Sequence, residues 1–167
     1  WHLVFDSDFS LVPVVWEGKR VGYVFGTVLF PEGGDERHLT LQAESKLLSD
    51  SFERALRGIL GRYVGLLNTG DEVRVYTDPI GALPALYDQS QEIVAASPLA
   101  IPGMDPDERF REQLFEAVRQ PLVSRGENIW LPGTITYYSG IERLLPNHYL
   151  DLNSWDQIRY WPSDREA

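Results

Sequence analysis

The sequence predicts an α+β fold, in which antiparallel strands are joined by tight turns and helices pack on the sheets. Runs rich in β-branched and aromatic residues, separated by turn-forming residues, occur at 11–30, 60–77 and 134–161. Apolar residues recur at helical spacing near residues 50–60 and 107–120. The predicted order of elements is strands, helix, hairpin, strands, helix and strands. This order favours antiparallel sheets covered by helices.

The first predicted element is a β-hairpin. Residues 11–16 (LVPVVW) precede the turn residues 17–20 (EGKR), and the run 21–30 (VGYVFGTVLF) returns. The β pattern can be followed back to residue 3. Residues 31–35 (PEGGD) then interrupt it, which indicates an exposed loop.

The first predicted helix begins at Asp50. Glu53 stands three residues later, which is the spacing of a capping box. Gly61 is placed to end the helix. The face expected to pack on the sheet carries Phe52, Leu56, Ile59 and Leu60.

A second hairpin and two short strands follow the helix. Residues 63–67 and 73–77 flank the turn 68–71 (NTGD), and further strands are predicted around 84–87 and 92–96.

The second predicted helix covers residues 107–120 and ends at Pro121, since proline removes a helical hydrogen bond. Residues 124–133 are expected to form a loop that carries Trp130. Beyond it, residues 134–161 alternate short apolar segments with turn residues.

Length and composition limit the classes of function. The 167 residues, 43% of them hydrophobic, fit one domain over residues 1–167. A formal net charge of −10 repels phosphate backbones, so we expect no nucleic-acid partner. The lack of cysteine excludes disulfides, thiolate nucleophiles and cysteine metal sites. Neither a signal-peptide pattern nor a membrane-spanning apolar run is present, so a cytoplasmic protein is expected.

The residue types that carry chemistry form no recognisable motif. There is no Gly-Lys-Ser/Thr phosphate loop, the histidines are not spaced as metal ligands, and the serines lack a nucleophile-elbow context. Turn and helix-start roles explain the acidic pairs. We therefore expect neither a metal nor a cofactor in this domain. The residues considered are His2, His38, His148, Ser7, Ser10, Ser97, Asp6 with Asp8, and Asp105 with Asp107.

Two segments resemble the glutaminase domain of the asparagine synthetase family. The first comprises residues 60–67 (LGRYVGLL), 78–87 (DPIGALPALY) and 95–97 (AAS). It is similar to the family's L-x-G-x-F/Y-A-F strand, its R-D-x-x-G-x-x-P-L-Y run and a strand ending near F-A-S-E. The second comprises residues 134–150 (TITYYSGIERLLPNHYL) and 159–162 (RYWP), similar to T-x-F-x-G-I-x-R-L-x-P-G-H-Y-L and R-Y-W. The resemblance implies the N-terminal-nucleophile hydrolase fold, a four-layer αββα sandwich with two antiparallel sheets between helical layers.

The catalytic residues that the resemblance would imply are missing. The family attacks glutamine with an N-terminal cysteine whose α-amino group is the base, whereas this chain begins with Trp1. Gly26 or Thr27 stands where the family's N-G-E strand has its oxyanion-stabilising asparagine. The substrate-holding R-R-L-S segment has no counterpart, and the D-x-E pair is reduced to residues 42–44 (QAE). We therefore expect no catalytic residue, and substrate-binding residues stay unassigned.

Two residues within the resembling segments have structural explanations. Gly81 follows Pro79 in a turn that needs a positive φ or a close backbone approach. Asn147 stands where the family has glycine, and asparagine tolerates the left-handed conformation second best.

The leading hypothesis is a non-catalytic, glutaminase-like front domain of an ATP-dependent amide-forming enzyme. Its relatives would include β-lactam synthetases and lasso-peptide cyclases, whose front domains are inactive. The expected partner is a C-terminal synthetase domain of the same protein, which would bind ATP and Mg²⁺. No S-G-G-x-D-S loop of that domain occurs in these 167 residues. A homodimer is also compatible.

Two alternatives are kept. The chain could be a stand-alone binding or scaffold domain that recruits a partner protein, or an active glutaminase of an unrecognised type. Packing roles are expected for most of the aromatic residues that could form a recruiting surface. These are Trp130, Tyr137, Tyr138, Trp155, Tyr160 and Trp161.

Overall fold

The computed structural model describes residues 2, 4, 10–30, 38–42, 47–123 and 131–162, with the backbone alone for residues 120–123. The described chain is mixed α/β, with two sheets and few helices. Contacts divide the chain into two compact units, Trp1–Leu83 with Pro146–Ala167, and Pro84–Leu145. The predicted sheets are present, while their four-layer arrangement and a single domain stay predictions.

The elements follow one another along the chain in this order: β1 (Leu11–Trp16), β2 (Lys19–Leu29), β3 (Leu39–Thr40), α1 (Leu48–Gly58), β4 (Leu60–Asn68), β5 (Val73–Thr77), β6 (Leu86–Asp88), β7 (Ile93–Ala95), α2 (Pro106–Arg109), α3 (Glu112–Val123), β8 (Glu142–Arg143), β9 (His148–Asp151) and β10 (Gln157–Arg159).

The first unit contains a seven-stranded sheet with the order β10-β9-β5-β4-β2-β1-β3. Its pairs are antiparallel except for β1 with β3, which are parallel. Both predicted hairpins, β1–β2 and β4–β5, are confirmed. The turn between β1 and β2 has Glu17 at φ 48° and Gly18 at φ 74°, and two left-handed residues are what a tight two-residue hairpin requires.

Helix α1 differs from the prediction at both ends. It begins after Leu47, and Asp50 lies within its first turn, so the predicted capping box is wrong. The helix ends at Gly58, and Gly61 lies inside β4 opposite Val28. The reason is competition: residues from Leu60 onward extend the sheet by pairing with β2, and this pairing satisfies their backbone groups.

The main core lies between α1 and one face of the large sheet. Phe52, Leu56 and Ile59 are buried, as their helical spacing predicted, whereas Leu60 is exposed. The sheet side chains that share this core are Val12, Val14, Val24, Tyr63, Leu67, Tyr76 and Tyr149, and Leu41 and Tyr160 join them. Burying this apolar surface removes it from water and is the main stabilising contribution of the unit.

The second unit contains a three-stranded antiparallel sheet with the order β7-β6-β8. Strands β6 and β7 agree with the predicted short strands. The predicted helix over 107–120 is interrupted at Phe110, which forms a β-bridge with Tyr138. The flanking residues also pair, since the Arg111 amide donates to the Tyr137 carbonyl over 2.8 Å.

Pro121 does not end the second helix as predicted, because α3 continues to Val123. A proline near a helix end removes one hydrogen bond without stopping the backbone from keeping helical angles for a further turn. Among the described residues, no helix is long and apolar enough to cross a membrane.

Candidate functional site

The strand position expected to stabilise an oxyanion carries no side-chain amide. Gly26 is buried in β2 at φ 119°, opposite Tyr63 of β4, and a Cβ there would lie 2.3 Å from the Arg62 carbonyl oxygen. Only glycine fits this approach. The neighbouring Thr27 is exposed. Of the region 42–44, Gln42 is exposed; Trp1, Ala43 and Glu44 lie outside the described residues, as do Asp6, Ser7, Asp8 and Trp130.

Of the two acidic pairs to which the sequence gave turn or helix-start roles, Asp105 with Asp107 lies among the described residues. The Asp105 carboxylate accepts hydrogen bonds from the amides of Asp107 and Glu108 at the start of α2, which confirms the helix-start role. The Ser97 hydroxyl accepts from the Leu99 amide over 3.3 Å.

The described histidines are dispersed. His2 and His38 are exposed, and His148 Nδ1 lies 2.8 Å from the Pro146 carbonyl oxygen. Within the described ranges, no three His, Asp or Glu side chains are arranged to hold a metal ion.

Asp78 organises the loop that begins the resembling run 78–87. Its side chain is fully buried, and its carboxylate accepts hydrogen bonds from the amides of Tyr63, Ile80, Ala82 and Leu83, at 3.0–3.3 Å. The Asp78 amide in turn donates to the Tyr63 carbonyl over 3.1 Å. A buried carboxylate needs such donors to offset the loss of water. The geometry therefore assigns Asp78 to the structure of the loop.

The turn that follows Asp78 lies against the second resembling segment. Gly81 has φ 61°, which confirms the positive φ predicted as one of two alternatives, and a Cβ on it would lie 3.0 Å from Pro146 Cγ. Asn147 has φ 59°, as predicted. Its amide nitrogen lies 3.4 Å from the Pro79 carbonyl oxygen. The two segments identified in the sequence therefore meet at Gly81 and Asn147. Both residues have a positive φ, which favours glycine and tolerates asparagine.

A charged and aromatic cluster connects α1 with the large sheet. The Tyr76 hydroxyl donates to Glu53 Oε1 over 3.1 Å, and Arg74 Nη1 lies 3.6 Å from the same oxygen. Arg74 Nε donates to Glu72 Oε2 over 2.7 Å, and its guanidinium lies 4.4 Å from the centre of the Tyr149 ring. The Tyr76 ring packs on Phe52, Tyr149 and Tyr160 at centroid distances of 5.1–5.3 Å.

Burial dominates the electrostatics of this cluster. Burial raises the pKa of Glu53, although the Tyr76 hydroxyl and Arg74 act in the opposite direction. Burial also raises the pKa of Tyr76, followed by the charge on Glu53. Tyr76 therefore stays a neutral hydrogen-bond donor at neutral pH.

Tyr160 belongs to the same core and not to a surface. It is 5% exposed, its hydroxyl donates to the Thr77 carbonyl over 3.1 Å, and burial raises its pKa to about 12. This confirms the packing role expected for Tyr160. Trp161, by contrast, is 40% exposed.

In the second unit, a buried ion pair holds α2 to the end of β6. Asp88 is 1% exposed; its Oδ2 lies 2.8 Å from Arg109 Nη2, and its Oδ1 accepts from the Ser90 hydroxyl over 2.6 Å. Burial acts to raise the pKa of Asp88, but the hydrogen bonds from Ser90 and Arg109 outweigh it and hold that pKa below its usual range. Arg109 Nε also donates to the Ser139 carbonyl, so one side chain joins three segments.

Four aromatic rings pack beside this ion pair within the second unit. Phe110 lies 5.5 Å from Phe115 and 5.8 Å from Tyr138, and Phe115 lies 5.4 Å from Tyr137 between ring centres. Packing roles for Tyr137 and Tyr138 are thereby confirmed. The buried Tyr137 hydroxyl has no hydrogen-bond partner among the described residues.

Sequence reasoning missed the interior polar contacts of the structure, namely Glu53 with Arg74 and Tyr76, and Asp88 with Arg109. Charged residues on a half-polar helix or strand give no local signal of their burial. Asp78 carried a usable signal, because Asp-Pro followed by Gly is typical of a side chain that organises its own turn. None of these groups has the nucleophile–base geometry of an active site.

Searches with protein-family models, among curated proteins and among solved structures each gave no match for this chain.

Proposed function

We propose that this chain is a glutaminase-like domain that has lost glutamine hydrolysis and serves as the front domain of an ATP-dependent amide-forming enzyme of the asparagine synthetase type. ATP and Mg²⁺ would bind the C-terminal synthetase half of the same protein, with the cytoplasm as the expected compartment. This domain would contribute packing and shape to that half, and no catalytic group.

One observation carries the proposal. The two resembling segments are separated in sequence by α2 and α3, yet Leu86 and Tyr87 in β6, at the end of the first segment's run 78–87, pair with β8 of the second segment. The loop before β6 also contacts the second segment, since Gly81 lies against Pro146 and the Pro79 carbonyl lies against Asn147. Motifs that belong to one domain are expected to be neighbours in its fold.

The burial pattern of the large sheet supports the finer prediction of a four-layer sandwich. Tyr63, Tyr76 and Tyr149 are buried on the face that carries α1, and strand alternation places Val64, Val75 and Leu150 on the other face, where they are also buried. A sheet buried on both faces is typical of an internal layer.

The loss of activity is tested with L-glutamine. The purified chain should release no glutamate above a protein-free control, because no cysteine is present and Gly26 and Thr27 offer no side-chain amide to an oxyanion. Glutamate that increases in proportion to protein would contradict this part of the proposal.

The role in a larger enzyme is tested on the product of the complete reading frame. Pyrophosphate release from ATP that depends on a carboxylate substrate would support it. A product of the complete frame that has no synthetase half would contradict it, whatever the glutamine assay shows.

A binding or scaffold domain is the second candidate, favoured by the edge of the large sheet. Ile158 in the edge strand β10 and the nearby Trp161 are each about 40% exposed. Trp161→Ala should then weaken self-association or partner capture by the purified chain while its thermal stability is kept. Unchanged association would count against this candidate.

A further inference from the structure

The polar attachment of helix α1 to the large sheet depends on a few side chains. The Tyr63 hydroxyl donates to the Leu56 carbonyl over 2.9 Å, and the Tyr76 hydroxyl donates to Glu53 Oε1 over 3.1 Å. Arg74 approaches the same carboxylate at 3.6 Å. Glu53 is thus a charged side chain of α1 that bridges to strand β5, and its side chain is only 15% exposed.

Two carboxylates compete for one guanidinium at this attachment. Arg74 donates through Nε to Glu72 Oε2 over 2.7 Å, which is a close charge-assisted hydrogen bond. Its 3.6 Å distance to Glu53 is longer than a hydrogen bond. Glu53 is the more deeply buried acid, because 15% of its side chain is exposed against 38% for Glu72. It is also the acid that is less well paired with Arg74.

The other groups that face Glu53 do not remove this imbalance. Asp50 and Arg57 lie on α1 itself and act in opposite directions, Tyr76 and Arg74 approach from β5, and Tyr149 and Tyr160 contribute neutral rings. Burial outweighs them all and raises the pKa of Glu53 above its ordinary value.

We propose that Glu53, Arg74 and Tyr76 form a proton-sensitive clasp that holds α1 on the sheet more firmly when Glu53 is protonated. A neutral Glu53 still accepts a hydrogen bond from the Tyr76 hydroxyl through Oε1, and Arg74 keeps its close hydrogen bond to Glu72. Ionisation adds a negative charge, largely shielded from solvent, beside a guanidinium that is already closely paired with Glu72.

The sign of the pH dependence follows from linkage. A carboxyl whose pKa is higher in the folded state binds its proton more tightly there than in the undocked helix. The contribution of the clasp is therefore complete below the ordinary value of 4.5 and is lost as the pH rises through the folded-state pKa. Local opening of α1 should become more frequent toward neutral pH.

Hydrogen exchange measured by mass spectrometry on the whole chain tests this, using peptides that cover Leu48–Gly58 at about pH 5 and about pH 7.5, corrected for intrinsic exchange rates. In the wild type, the opening constant of α1 should be at least about twofold larger at the higher pH. Glu53→Gln should remove that difference. Glu116→Gln, an exposed acid on α3, should leave it unchanged.

A second variant keeps the test decisive if Glu53→Gln fails to fold. Glu72→Gln frees Arg74 to approach Glu53 and should reduce the wild-type pH dependence of α1. The proposal is overturned if α1 protection in the wild type is independent of pH, if it rises with pH, or if Glu72→Gln leaves the dependence as it was.

Discussion

At the scale of single residues, the loop 78–83 shows how one side chain can set a backbone path. The buried Asp78 carboxylate satisfies four backbone amides, and the loop then passes Pro146 at Gly81, where an added Cβ would make a tight contact of 3.0 Å with Pro146 Cγ. Position 78 requires a side chain that accepts several hydrogen bonds. Position 81 requires a residue that adopts a left-handed backbone conformation and has no Cβ.

Gly81→Ala should destabilise the chain by about 1–3 kcal/mol. Alanine would be strained at φ 61°, and its Cβ would lie 3.0 Å from Pro146 Cγ. Urea unfolding followed by circular dichroism measures the change. Gly18→Ala is the matched control, because Gly18 has φ 74° and nothing within 4 Å of its added Cβ. Equal losses in the two variants would show that contact with Pro146 contributes nothing.

At the scale of elements, partners elsewhere in the chain decide where helices begin, break and end. Helix α1 stops at Gly58 because the next residues pair with β2, and α2 and α3 are separate because Phe110 pairs with Tyr138. In both places the local pattern favours a longer helix, and strand pairing outweighs a helix propensity of a few tenths of a kcal/mol per residue.

The Asp88–Arg109 pair should behave as a coupled unit that fixes α2 to β6. Asp88→Asn and Arg109→Met should each cost about 2–3 kcal/mol, because the first removes the anion that pairs with Arg109 and the second leaves the buried Asp88 carboxylate without its cation. The double variant should lose less than the sum by about 1–2 kcal/mol. Denaturant unfolding of the four proteins gives the coupling.

The exposed pair Arg119 and Glu116, 3.6 Å apart, is the control for this cycle and should couple by less than about 0.5 kcal/mol. Strict additivity of Asp88→Asn and Arg109→Met would contradict the pairing.

Because the pKa of Asp88 is lowered in the fold, the contribution of Asp88 to stability is present above the ordinary value of 3.8 and is lost as the pH falls through the folded-state pKa.

At the scale of the whole molecule, an aromatic core holds α1 against the seven-stranded sheet. Phe52 has no exposed surface; its ring packs edge-on against Tyr76, and the glycine at 65 leaves room for it, since a Cβ there would lie 3.0 Å from Phe52 Cζ. Two tyrosine hydroxyls complete this core by donating to the Leu56 carbonyl and to Glu53.

Phe52→Ala should lower the free energy of unfolding by about 3–5 kcal/mol, since it leaves a cavity against Tyr76. Leu29→Ala, at a side chain that is 57% exposed, should change it by less than about 0.5 kcal/mol. Thermal and urea unfolding of both variants make the comparison. A surface substitution changes the free energy of unfolding by about 1 kcal/mol or less. A loss of that size for Phe52→Ala would mean that Phe52 is not central to the core.

Much of the fold could be predicted because its signals are local. Alternating β-branched residues around Gly18 and around residues 68–71 located both hairpins, helical spacing located Phe52 and Leu56 in the core, and Gly81 and Asn147 indicated left-handed backbone. The candidate site was less accessible, since the burial of Glu53 and Asp88 depends on elements far away in sequence.

By itself, then, the sequence determined the mixture of strands and helices, most strand positions, the lack of cysteine within these 167 residues and the positive φ at Gly81 and Asn147, since each depends on the residues themselves or on their close neighbours. Only the tertiary structure decided which strands lie side by side, where α1 ends, that Phe110 interrupts a helix, and that Arg74 is shared by two carboxylates. The physical reason is that pairing and burial are contacts between distant residues, and their free energy exceeds the small preferences that a local pattern records.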